Sequence, residues 1–510
     1  MGTETSGLSR IEDALRRSAL RVGNKPAIVD GDRNFTYSAL ARDANTVSAT
    51  LAGQGVARGD RVAVFLDKSY AAVVATYAIW CAGAVVVPIN EGLRATQVRH
   101  ILEDSGSRIL LSEPRKLAAI DSEAYAGVAT LNVDSVLADG GEQSAFDVPK
   151  GSEAFVGGDE PAIILYTSGS TGRPKGILIS HANLLAGARI VGRYLELTEH
   201  ERILSVLPFS FDYGLNQLLT AVDQGATLVL QRSLFPPDIC RSLERFEITG
   251  LAGVPTLWIQ LMQRHSPFSR QAFPKLRYIT NSGGAFPVEL VQRYRAHLPH
   301  TRIFLMYGLS EAFRSTYLPP EQLDLRPSSM GRAIPETEIL LIGEDGKEVP
   351  PEVPGELVHA GPTVALGYWN RPEATAAVFR PDPRSADRPK VVYSGDLVRR
   401  DAEGFLYFVG RGDQQIKSYG YRISPEEVEE ALHASGLLSE VVVRGVPDEL
   451  AGMAVQAHVV PRLPDAFSVD ELRRYCEAKM PRYMVPQQIV VHADFPRTSS
   501  GKVDRKNVGL

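Results

Sequence analysis

The sequence contains few of the residues that mark disulfide-stabilised, metal-cluster or membrane proteins. Its 510 residues include only three cysteines, Cys81, Cys240 and Cys476, which lie far apart. An odd number of widely spaced cysteines argues against a disulfide framework and does not indicate a zinc cluster. The longest apolar stretch, residues 71–88, is interrupted by Tyr, Trp, Cys and Gly. We therefore expect a buried helix followed by a strand there, not a membrane span.

The sequence also lacks a strong excess of either charge and a targeting segment. Lysine and arginine together number 55, aspartate and glutamate 60, and the net charge is −5 at pH 7. This mild acidic balance argues against binding of nucleic acid or of an anionic membrane through bulk charge. Because the N-terminus has no basic-then-apolar signal pattern, we expect a cytoplasmic protein.

Hydrophobic residues make up 44% of the chain, which is enough for a large core. Short apolar strands alternate with helical stretches from about residue 61 to residue 306, which predicts an α/β fold with parallel sheets. After Gly331 short strands separated by turns predict a small β-barrel-like subdomain over about 331–412. A compact α+β domain is expected over 413–510. The N-terminal domain, 1–412, would thus hold two α/β subdomains and the β-rich one.

The strongest motif is the run Tyr166-Thr-Ser-Gly-Ser-Thr-Gly-Arg-Pro-Lys-Gly176, directly after the apolar strand 162–165. Its glycines, hydroxyls and lysine suit a loop whose backbone N–H groups and side chains surround phosphate oxygens. The spacing of a Walker loop is absent. A surface linker would need neither the Pro-Lys-Gly ending nor a buried strand before it.

This run resembles the phosphate-binding signature of the adenylate-forming superfamily, which comprises acyl- and aryl-CoA synthetases, adenylation domains of peptide synthetases, and luciferases. The resemblance extends from about residue 10 to the C-terminus. Further segments match the motifs of that family in the same order: 282–285, 307–311, 393–396, 410–417, 420–423 and 496–502. Because the motifs keep their order, the resemblance is specific.

The resemblance implies that the chain binds ATP and Mg²⁺. The phosphates would be held by Thr167, Ser168, Gly169, Ser170, Thr171, Gly172 and Lys175, and Mg²⁺ by Glu311 and Thr171. Further nucleotide or CoA contacts would come from Gly283, Gly284, Ala285, Tyr307, Gly308, Ser310, Asp396, Arg411, Lys417 and Gly420. Each role fits the chemistry: Asp396 can accept both ribose hydroxyls, Arg411 can donate to the same sugar, and Tyr307 offers a flat face to adenine.

By the same resemblance, Lys502 is the catalytic lysine of a mobile C-terminal domain, and Lys175 and Glu311 assist it. Lys502 would bridge the acyl carboxylate and the α-phosphate. Asp413 would be the hinge about which the small domain swings. That motion would replace Lys502 with the segment around Gly420 for thioester formation.

The acyl pocket is expected to be formed by Phe211, Asp212, Tyr213, Asn216, Val254, Ser282, Phe313 and Arg314. Asp212 has two interpretations. It could hold a substrate ammonium group, as in related adenylation domains, or it could cap the helix that starts near Tyr213. We favour the cap and a neutral, non-amino carboxylic acid, because the assigned neighbours are mainly apolar. Arg314 could instead pair with Asp212 or bind a second acidic group of the substrate.

The acyl acceptor is expected to be the thiol of CoA. The segment 307–311 carries Leu309-Ser310 where peptide synthetases have Pro-Thr, and the sequence ends at Leu510 with no carrier domain after Lys502. The expected enzyme is thus an AMP-forming acid–thiol ligase that acts in secondary metabolism. Two alternatives remain open: a free-standing amino-acid adenylating enzyme that loads a separate carrier protein, and a ligase that runs only one half-reaction. The sequence leaves the oligomeric state open.

Overall fold

A computed structural model describes residues 8–139, 159–167, 174–411, 416–418, 421–423, 425–448, 452–480, 484–498 and 501–509. The predicted site residues Ser168, Gly169, Ser170, Thr171, Gly172, Asp413 and Gly420 lie outside these ranges, and Arg411 and Lys417 are described by their backbones only.

The described chain alternates strands and helices in its first 300 residues and is mainly β from there to residue 411. In chain order the strands are β1 (Pro26–Asp30), β2 (Arg33–Thr36), β3 (Arg61–Phe65), β4 (Val85–Pro88), β5 (Ile109–Ser112), β6 (Ala129–Leu131), β7 (Pro161–Thr167), β8 (Lys175–Ser180), β9 (Arg202–Ser205), β10 (Thr227–Leu230), β11 (Gly250–Gly253), β12 (Tyr278–Asn281), β13 (Arg302–Tyr307), β14 (Thr316–Leu318), β15 (Arg332–Ala333), β16 (Glu338–Ile342), β17 (Gly355–Ala360), β18 (Gly367–Tyr368), β19 (Phe379–Arg380), β20 (Val391–Arg400), β21 (Leu406–Arg411), β22 (Ile416–Ser418), β23 (Tyr421–Ile423), β24 (Leu438–Asp448), β25 (Gly452–Pro461) and β26 (Gln488–Val491). The α-helices are α1 (Ile11–Val22), α2 (Tyr37–Gly53), α3 (Tyr70–Cys81), α4 (Ala95–Ser105), α5 (Pro114–Ala118), α6 (Val133–Asp139), α7 (His181–Tyr194), α8 (Asp212–Gln224), α9 (Pro236–Arg245), α10 (Pro255–Leu261), α11 (Val288–His297), α12 (Pro372–Val378), α13 (Pro425–His433) and α14 (Val469–Lys479).

Two large mixed sheets form the first part of the fold. The nine-stranded sheet has the order β15-β14-β13-β12-β11-β9-β10-β1-β2, and its six central strands are parallel. The seven-stranded sheet has the order β18-β8-β7-β4-β3-β5-β6, with parallel strands from β7 to β6. The α/β class predicted from the alternating pattern is confirmed.

One hydrophobic core joins both sheets with helices α1, α2, α3, α7 and α8. Helix α3 is buried on every side from Tyr70 to Trp80, which is the pattern of a helix inside a large core. The apolar stretch 71–88 is therefore the buried helix and strand that the sequence predicted. No helix among the described residues combines the length and apolar character needed to cross a membrane.

Two smaller sheets follow. Strands β16, β17, β20, β19 and β21 form an antiparallel sheet over residues 338–411. Strands β23, β22, β25 and β24 are antiparallel, with β26 added parallel to β25, and this sheet carries α13 and α14. Residues such as Val428, Val455 and Leu472 give it a separate core. A large α/β part and a small α+β part are thus present, as expected.

Candidate active site

The predicted phosphate loop connects two antiparallel strands. Thr167 ends β7, Lys175 begins β8, and the two residues are paired across the hairpin. The Nζ atom of Lys175 lies 5.9 Å from the ring centroid of Tyr368. The Tyr368 hydroxyl in turn donates a hydrogen bond of 2.6 Å to Oε1 of Glu311. The structure therefore brings together the lysine expected at the phosphates and the carboxylate expected at Mg²⁺, with Tyr368 between them.

Tyr307 and Asp396, both predicted to contact the nucleoside, also meet. The Tyr307 hydroxyl donates to Oδ2 of Asp396. Asp396 is 5% exposed, and its backbone N–H donates to the Ser394 hydroxyl. In the antiparallel pair of β20 and β21, Asp396 stands directly opposite Arg411. The two residues expected at the ribose thus share one register position.

The turn after β12 contains the next predicted nucleotide contacts. Gly283 has a φ of +81°, a backbone conformation that favours glycine. The Asn281 side-chain amide donates to the Gly284 carbonyl oxygen at 3.0 Å and closes the turn. Gly284 and Ala285 are exposed, whereas Ser282 is buried.

Lys502 reaches this turn from the C-terminal part of the chain. A Cβ atom added to Gly283 would lie 3.0 Å from both Cε and Nζ of Lys502. The ammonium group also lies 5.0 Å from the ring centroid of Phe211. Burial lowers the pKa of Lys502, and the Asp212 carboxylate opposes that shift. The catalytic lysine predicted from sequence therefore enters the N-terminal site, beside the expected acyl pocket.

A short hairpin holds Lys502 in position. The Thr498 N–H donates to the Lys502 carbonyl oxygen at 2.8 Å, and Arg497 pairs with Val503 as an isolated β-bridge. Arg505, just beyond the hairpin, forms a two-pronged ion pair with Glu429 on α13, with Nη1 3.0 Å from Oε2. Burial raises the pKa of Glu429 to about 7, although Arg505 opposes the shift.

Asp212 does not cap a helix. Helix α8 begins at Asp212 itself, its N-cap residue is Phe211, and no side chain caps it. The helix-cap interpretation is therefore wrong, although a carboxylate in the first turn still favours the helix dipole. Oδ2 of Asp212 instead lies 3.6 Å from Nη1 of Arg314, and the exposed fractions of the two side chains are 5% and 2%. The internal Asp212–Arg314 pair, one of the options left open by the sequence, is what the structure contains.

A strained turn places Arg314. Phe313 has a φ of +58°, and the Arg314 N–H donates to the Ala312 carbonyl oxygen at 2.6 Å. This is the three-residue γ-turn with positive φ, which is rare and strained. The Phe313 ring occupies the space where a side chain on Gly187 would lie, since a Cβ there would be 2.5 Å from the ring. The Phe313 ring thus packs against α7 and supports the loop. It is not part of the cavity wall described below, although the sequence predicted it for the pocket.

A buried histidine stabilises the far side of this loop. His359 makes hydrogen-bond contacts of 3.0 Å with the Ser315 hydroxyl and 3.1 Å with the Thr363 hydroxyl. Complete burial lowers the pKa of His359 to about 3, so the ring is neutral at physiological pH. Sequence reasoning missed His359, because nothing near it in the chain marks a functional position.

A small cavity of about 20 Å³ lies beside the Asp212–Arg314 pair. Its polar wall includes three predicted pocket residues, Tyr213, Asn216 and Arg314. The cavity lining also includes Tyr278 and Thr280, from a segment that the sequence places at the pocket, and Gln217 and Thr220, which the sequence does not mark. Val254, also predicted for the pocket, is buried near Gly283, with Cγ1 3.6 Å from the position of a Cβ there. Most of the accessible cavity surface is nevertheless apolar, as the sequence suggested.

Comparison with protein families gives this geometry its context. The model of the AMP-binding enzyme family matches residues 15–369, and the model of the AMP-binding enzyme C-terminal domain matches residues 427–502. The chain belongs to the AMP-binding enzyme family. The resemblance to the adenylate-forming superfamily is thereby confirmed.

Curated relatives of this family member include both large synthetases and single enzymes. The chain is 30% identical to a linear gramicidin synthase of Brevibacillus parabrevis over 97% of its length, but it spans only 10% of that protein. It is 32% identical to a feruloyl-CoA synthase of an Amycolatopsis species, and the match covers 94% of both chains.

Solved structures of AMP-binding enzymes share the whole fold. The o-succinylbenzoate CoA synthetase of Bacillus subtilis, in complex with its acyl-adenylate intermediate, superimposes with a TM-score of 0.85 at 28% identity and covers 98% of each chain. The same enzyme with ATP and a magnesium ion gives a TM-score of 0.84 at 29% identity, covering 97% of this chain and 98% of the other. The architecture of a large N-terminal and a smaller C-terminal part is that of the family.

Tyr368 lies among the residues predicted to bind the phosphates and Mg²⁺, although the sequence did not mark it as a site residue. It ends the two-residue strand β18, after Gly367 and just before Trp369, and β18 pairs with β8. The only signal in the sequence is this aromatic pair between a glycine and a turn. Such a pair is more often part of a core than of a site, so the contact with Glu311 required the fold.

Proposed function

We propose that the protein activates a carboxylic acid with ATP to form an acyl adenylate and then transfers the acyl group to the thiol of CoA. The observation that carries this proposal is the position of Lys502 between Gly283 and Phe211, next to Asp212 and Arg314. A lysine at that point faces both the predicted nucleotide turn and the predicted acyl pocket, where the new bond must form.

Adenylation requires two anions to approach each other, so the site must provide positive charge at their junction. Lys502 would neutralise the acyl carboxylate and the α-phosphate, and Lys175 would neutralise the outer phosphates. Glu311 and Thr171 would hold Mg²⁺, which accepts one or two carboxylate or hydroxyl oxygens alongside water and would offset phosphate charge. The Tyr368 hydroxyl bonded to Glu311 supports this fit, because it orients the carboxylate. Asp396, held by Tyr307, would accept hydrogen bonds from the ribose hydroxyls.

The choice of CoA as acceptor is supported by relatives that match along nearly their whole length, such as the feruloyl-CoA synthase. The rival acceptor is a separate carrier protein, and the match to gramicidin synthase supports that alternative. We favour CoA as acceptor and a carboxylic acid without an amino group as substrate. Asp212 already has Arg314 beside it and therefore needs no substrate ammonium group as a partner. A setting in secondary metabolism and in the cytoplasm remains part of the proposal.

Two assays on the purified protein test the proposal. Pyrophosphate release with ATP, Mg²⁺ and a panel of carboxylic acids reports the first half-reaction, and acyl-CoA formation reports the second. We expect both signals with the same acid. Pyrophosphate without thioester, unless a phosphopantetheinylated carrier is added, would favour the carrier-loading alternative. Absence of pyrophosphate with every acid would contradict the proposed activity.

A further inference from the structure

The backbone of Tyr368 is tied to the strand that follows the predicted phosphate loop. Tyr368 pairs with Ile177 on β8, and the N–H of the next residue, Trp369, donates to the Gly176 carbonyl oxygen at 2.8 Å. Strand β8 begins at Lys175. Because successive side chains of a strand point to opposite faces, this register determines on which face of the pair the tyrosine ring lies. Tyr368 is thus held in register with the lysine end of the loop.

Two further contacts fix the Tyr368 side chain. The ring meets Phe379 edge to face, with centroids 5.6 Å apart and planes at 80°, an arrangement that aromatic pairs favour. The Tyr368 N–H donates to the Thr375 hydroxyl on α12 at 2.9 Å. With the backbone and the ring both held, the phenolic hydroxyl has a defined position.

That hydroxyl reaches a carboxylate on the other large sheet. Glu311 lies in the turn between β13 and β14 of the nine-stranded sheet, whereas β18 and β8 belong to the seven-stranded sheet. The Glu311 carbonyl oxygen accepts from the Ala365 N–H at 2.9 Å, and Oε1 accepts from the Tyr368 hydroxyl at 2.6 Å. The second distance is that of a charge-assisted hydrogen bond. Segment 365–368 therefore holds both the backbone and the side chain of Glu311.

The hydrogen bond leaves Glu311 able to bind a cation. A carboxylate has about four lone-pair positions, and the single Tyr368 donor occupies one of them. The Nζ atom of Lys175 lies 5.9 Å from the centroid of the Tyr368 ring, near the outer limit of about 6 Å for a cation–π contact. One side chain thus contacts the predicted phosphate-binding lysine with its ring and the predicted metal ligand with its hydroxyl.

We propose that Tyr368 is a positioning residue for nucleotide-bound Mg²⁺: its hydroxyl orients the Glu311 carboxylate toward the metal and keeps it in register with the phosphate-loop strand. The inference rests on the proposed function, because it takes Glu311 as a metal ligand. Partners that orient a metal ligand are typically worth about 10–100-fold in metal affinity or activity. Tyr368 acts through Glu311 and does not itself contact the reacting atoms.

Calorimetry without any acid substrate tests the inference independently of turnover. The affinity of the protein for α,β-methylene-ATP is measured in Mg²⁺ and in EDTA, and the ratio of the two affinities reports what the metal contributes. Tyr368→Phe keeps the ring and removes only the hydroxyl, and we expect it to lower this ratio by about tenfold, the low end of the usual range. General damage to the fold would weaken binding in both conditions and leave the ratio unchanged.

Tyr70→Phe is the matched control. It also removes a hydrogen bond from a tyrosine hydroxyl to a carboxylate, here the 2.8 Å bond from Tyr70 on α3 to Asp43 on α2, which lies outside the predicted site. The ratio for this variant should equal that of the wild type. In the pyrophosphate assay, Tyr368→Phe should need a higher Mg²⁺ concentration for half-maximal rate, and excess Mg²⁺ should restore most of the rate.

Glu311→Gln completes the test. It should lower the Mg²⁺-to-EDTA ratio at least as much as Tyr368→Phe, and the double variant should be no worse than Glu311→Gln alone, because both changes act on one ligand. A normal ratio for Tyr368→Phe would mean that the tyrosine only joins the two sheets, and a normal ratio for Glu311→Gln would mean that Glu311 does not bind the metal. Either result overturns the inference and leaves the proposed activity to its own assays. Failure of the wild-type protein to bind the nucleotide in both conditions would remove the proposed function as well.

Discussion

At the scale of single residues, Lys502 is the cation on which the proposed chemistry depends. Its ammonium group is withdrawn from water beside Phe211, and burial lowers its pKa. The charged form is thus less favoured than in an ordinary lysine until an anion arrives. The acyl carboxylate and the phosphate that the lysine is expected to bridge should therefore strongly favour its charged form.

Replacing Lys502 with alanine should abolish most of the adenylation and spare the second half-reaction. Contacts that stabilise charge in a transition state are typically worth about 10²–10³ in rate. We expect a loss of that order in pyrophosphate release, with near-normal thioester formation from a chemically prepared acyl adenylate. An equal loss in both half-reactions would show that the lysine has a general or structural role.

The buried position of Asp212 beside a guanidinium changes the expected effect of substituting this residue. Because it faces Arg314 and does not cap α8, Asp212→Asn should leave a buried guanidinium with less compensation. Removing one partner of a buried pair costs about 3–5 kcal/mol where geometry is ideal, and the 3.6 Å separation here places the expected loss at the lower end. Denaturant unfolding measures it.

The double variant Asp212→Asn/Arg314→Gln is the matching control, and it should recover part of the lost stability if the two side chains are coupled. A different outcome would contradict the paired interpretation. Unchanged stability, together with a loss of about 1.5–3 kcal/mol in kcat/KM for α-amino acids only, would show that Asp212 binds a substrate ammonium group.

At the scale of elements, the hairpin that carries Lys502 is fixed to its own domain by ion pairs at both ends. Arg505 binds Glu429 on α13, and Arg497 lies 2.5 Å from the Glu440 carboxylate at β24. Between them the Thr498 hydrogen bond to the Lys502 carbonyl oxygen closes the turn. Helix α13 and strand β24 therefore determine where the lysine points when the small domain meets the large one.

Glu429→Gln should loosen this hairpin, because it removes the charge that Arg505 requires. A misplacement of about 1 Å can cost up to about 10²-fold in a positioned reaction, so we expect a severalfold to tenfold fall in adenylation. Thioester formation from a supplied adenylate should change little. Glu477→Gln, exposed on α14, is the control and should behave as wild type. If Glu429→Gln leaves both half-reactions unchanged, the pair only stabilises the domain.

At the scale of the whole molecule, the structure joins its large and small parts in an arrangement that fits the proposed adenylation step. Lys502 reaches the turn at Gly283, and Arg462 of the small domain lies 3.2 Å from Glu289 on α11. The second pair is partly exposed, so its contribution is small, about 0–1 kcal/mol. A weak contact of this kind would suit an interface that separates between the two proposed half-reactions.

Asp413 lies outside the described residues, and its role as hinge remains a prediction from the family motif. Proline fixes φ near −65°, whereas a pivot must change its backbone angles. Asp413→Pro should therefore trap one orientation, so that one half-reaction survives and the other is lost. Pyrophosphate release and acyl-CoA formation, measured separately, decide the matter. Wild-type rates for both would exclude Asp413 as the pivot.

The sequence by itself determined the fold class and the family, and it predicted which residues contact the nucleotide. Strand and helix periodicity is a local property, and the ordered motifs place Tyr307, Asp396 and Lys502 without knowledge of the fold. Tyr307 and Asp396 meet, and Lys502 reaches the turn at Gly283. Motifs at strand ends and turns are held by backbone geometry that neighbouring residues largely decide.

Only the tertiary structure decided the character of the acyl pocket. Asp212 and Arg314 are about one hundred residues apart, and the strained turn at Phe313 brings them together. Gln217 and His359 come from separate elements, and no local pattern marks them. Whether a carboxylate caps a helix, binds a substrate or pairs internally depends on what packs against it, and contacts between distant segments form only when the chain folds.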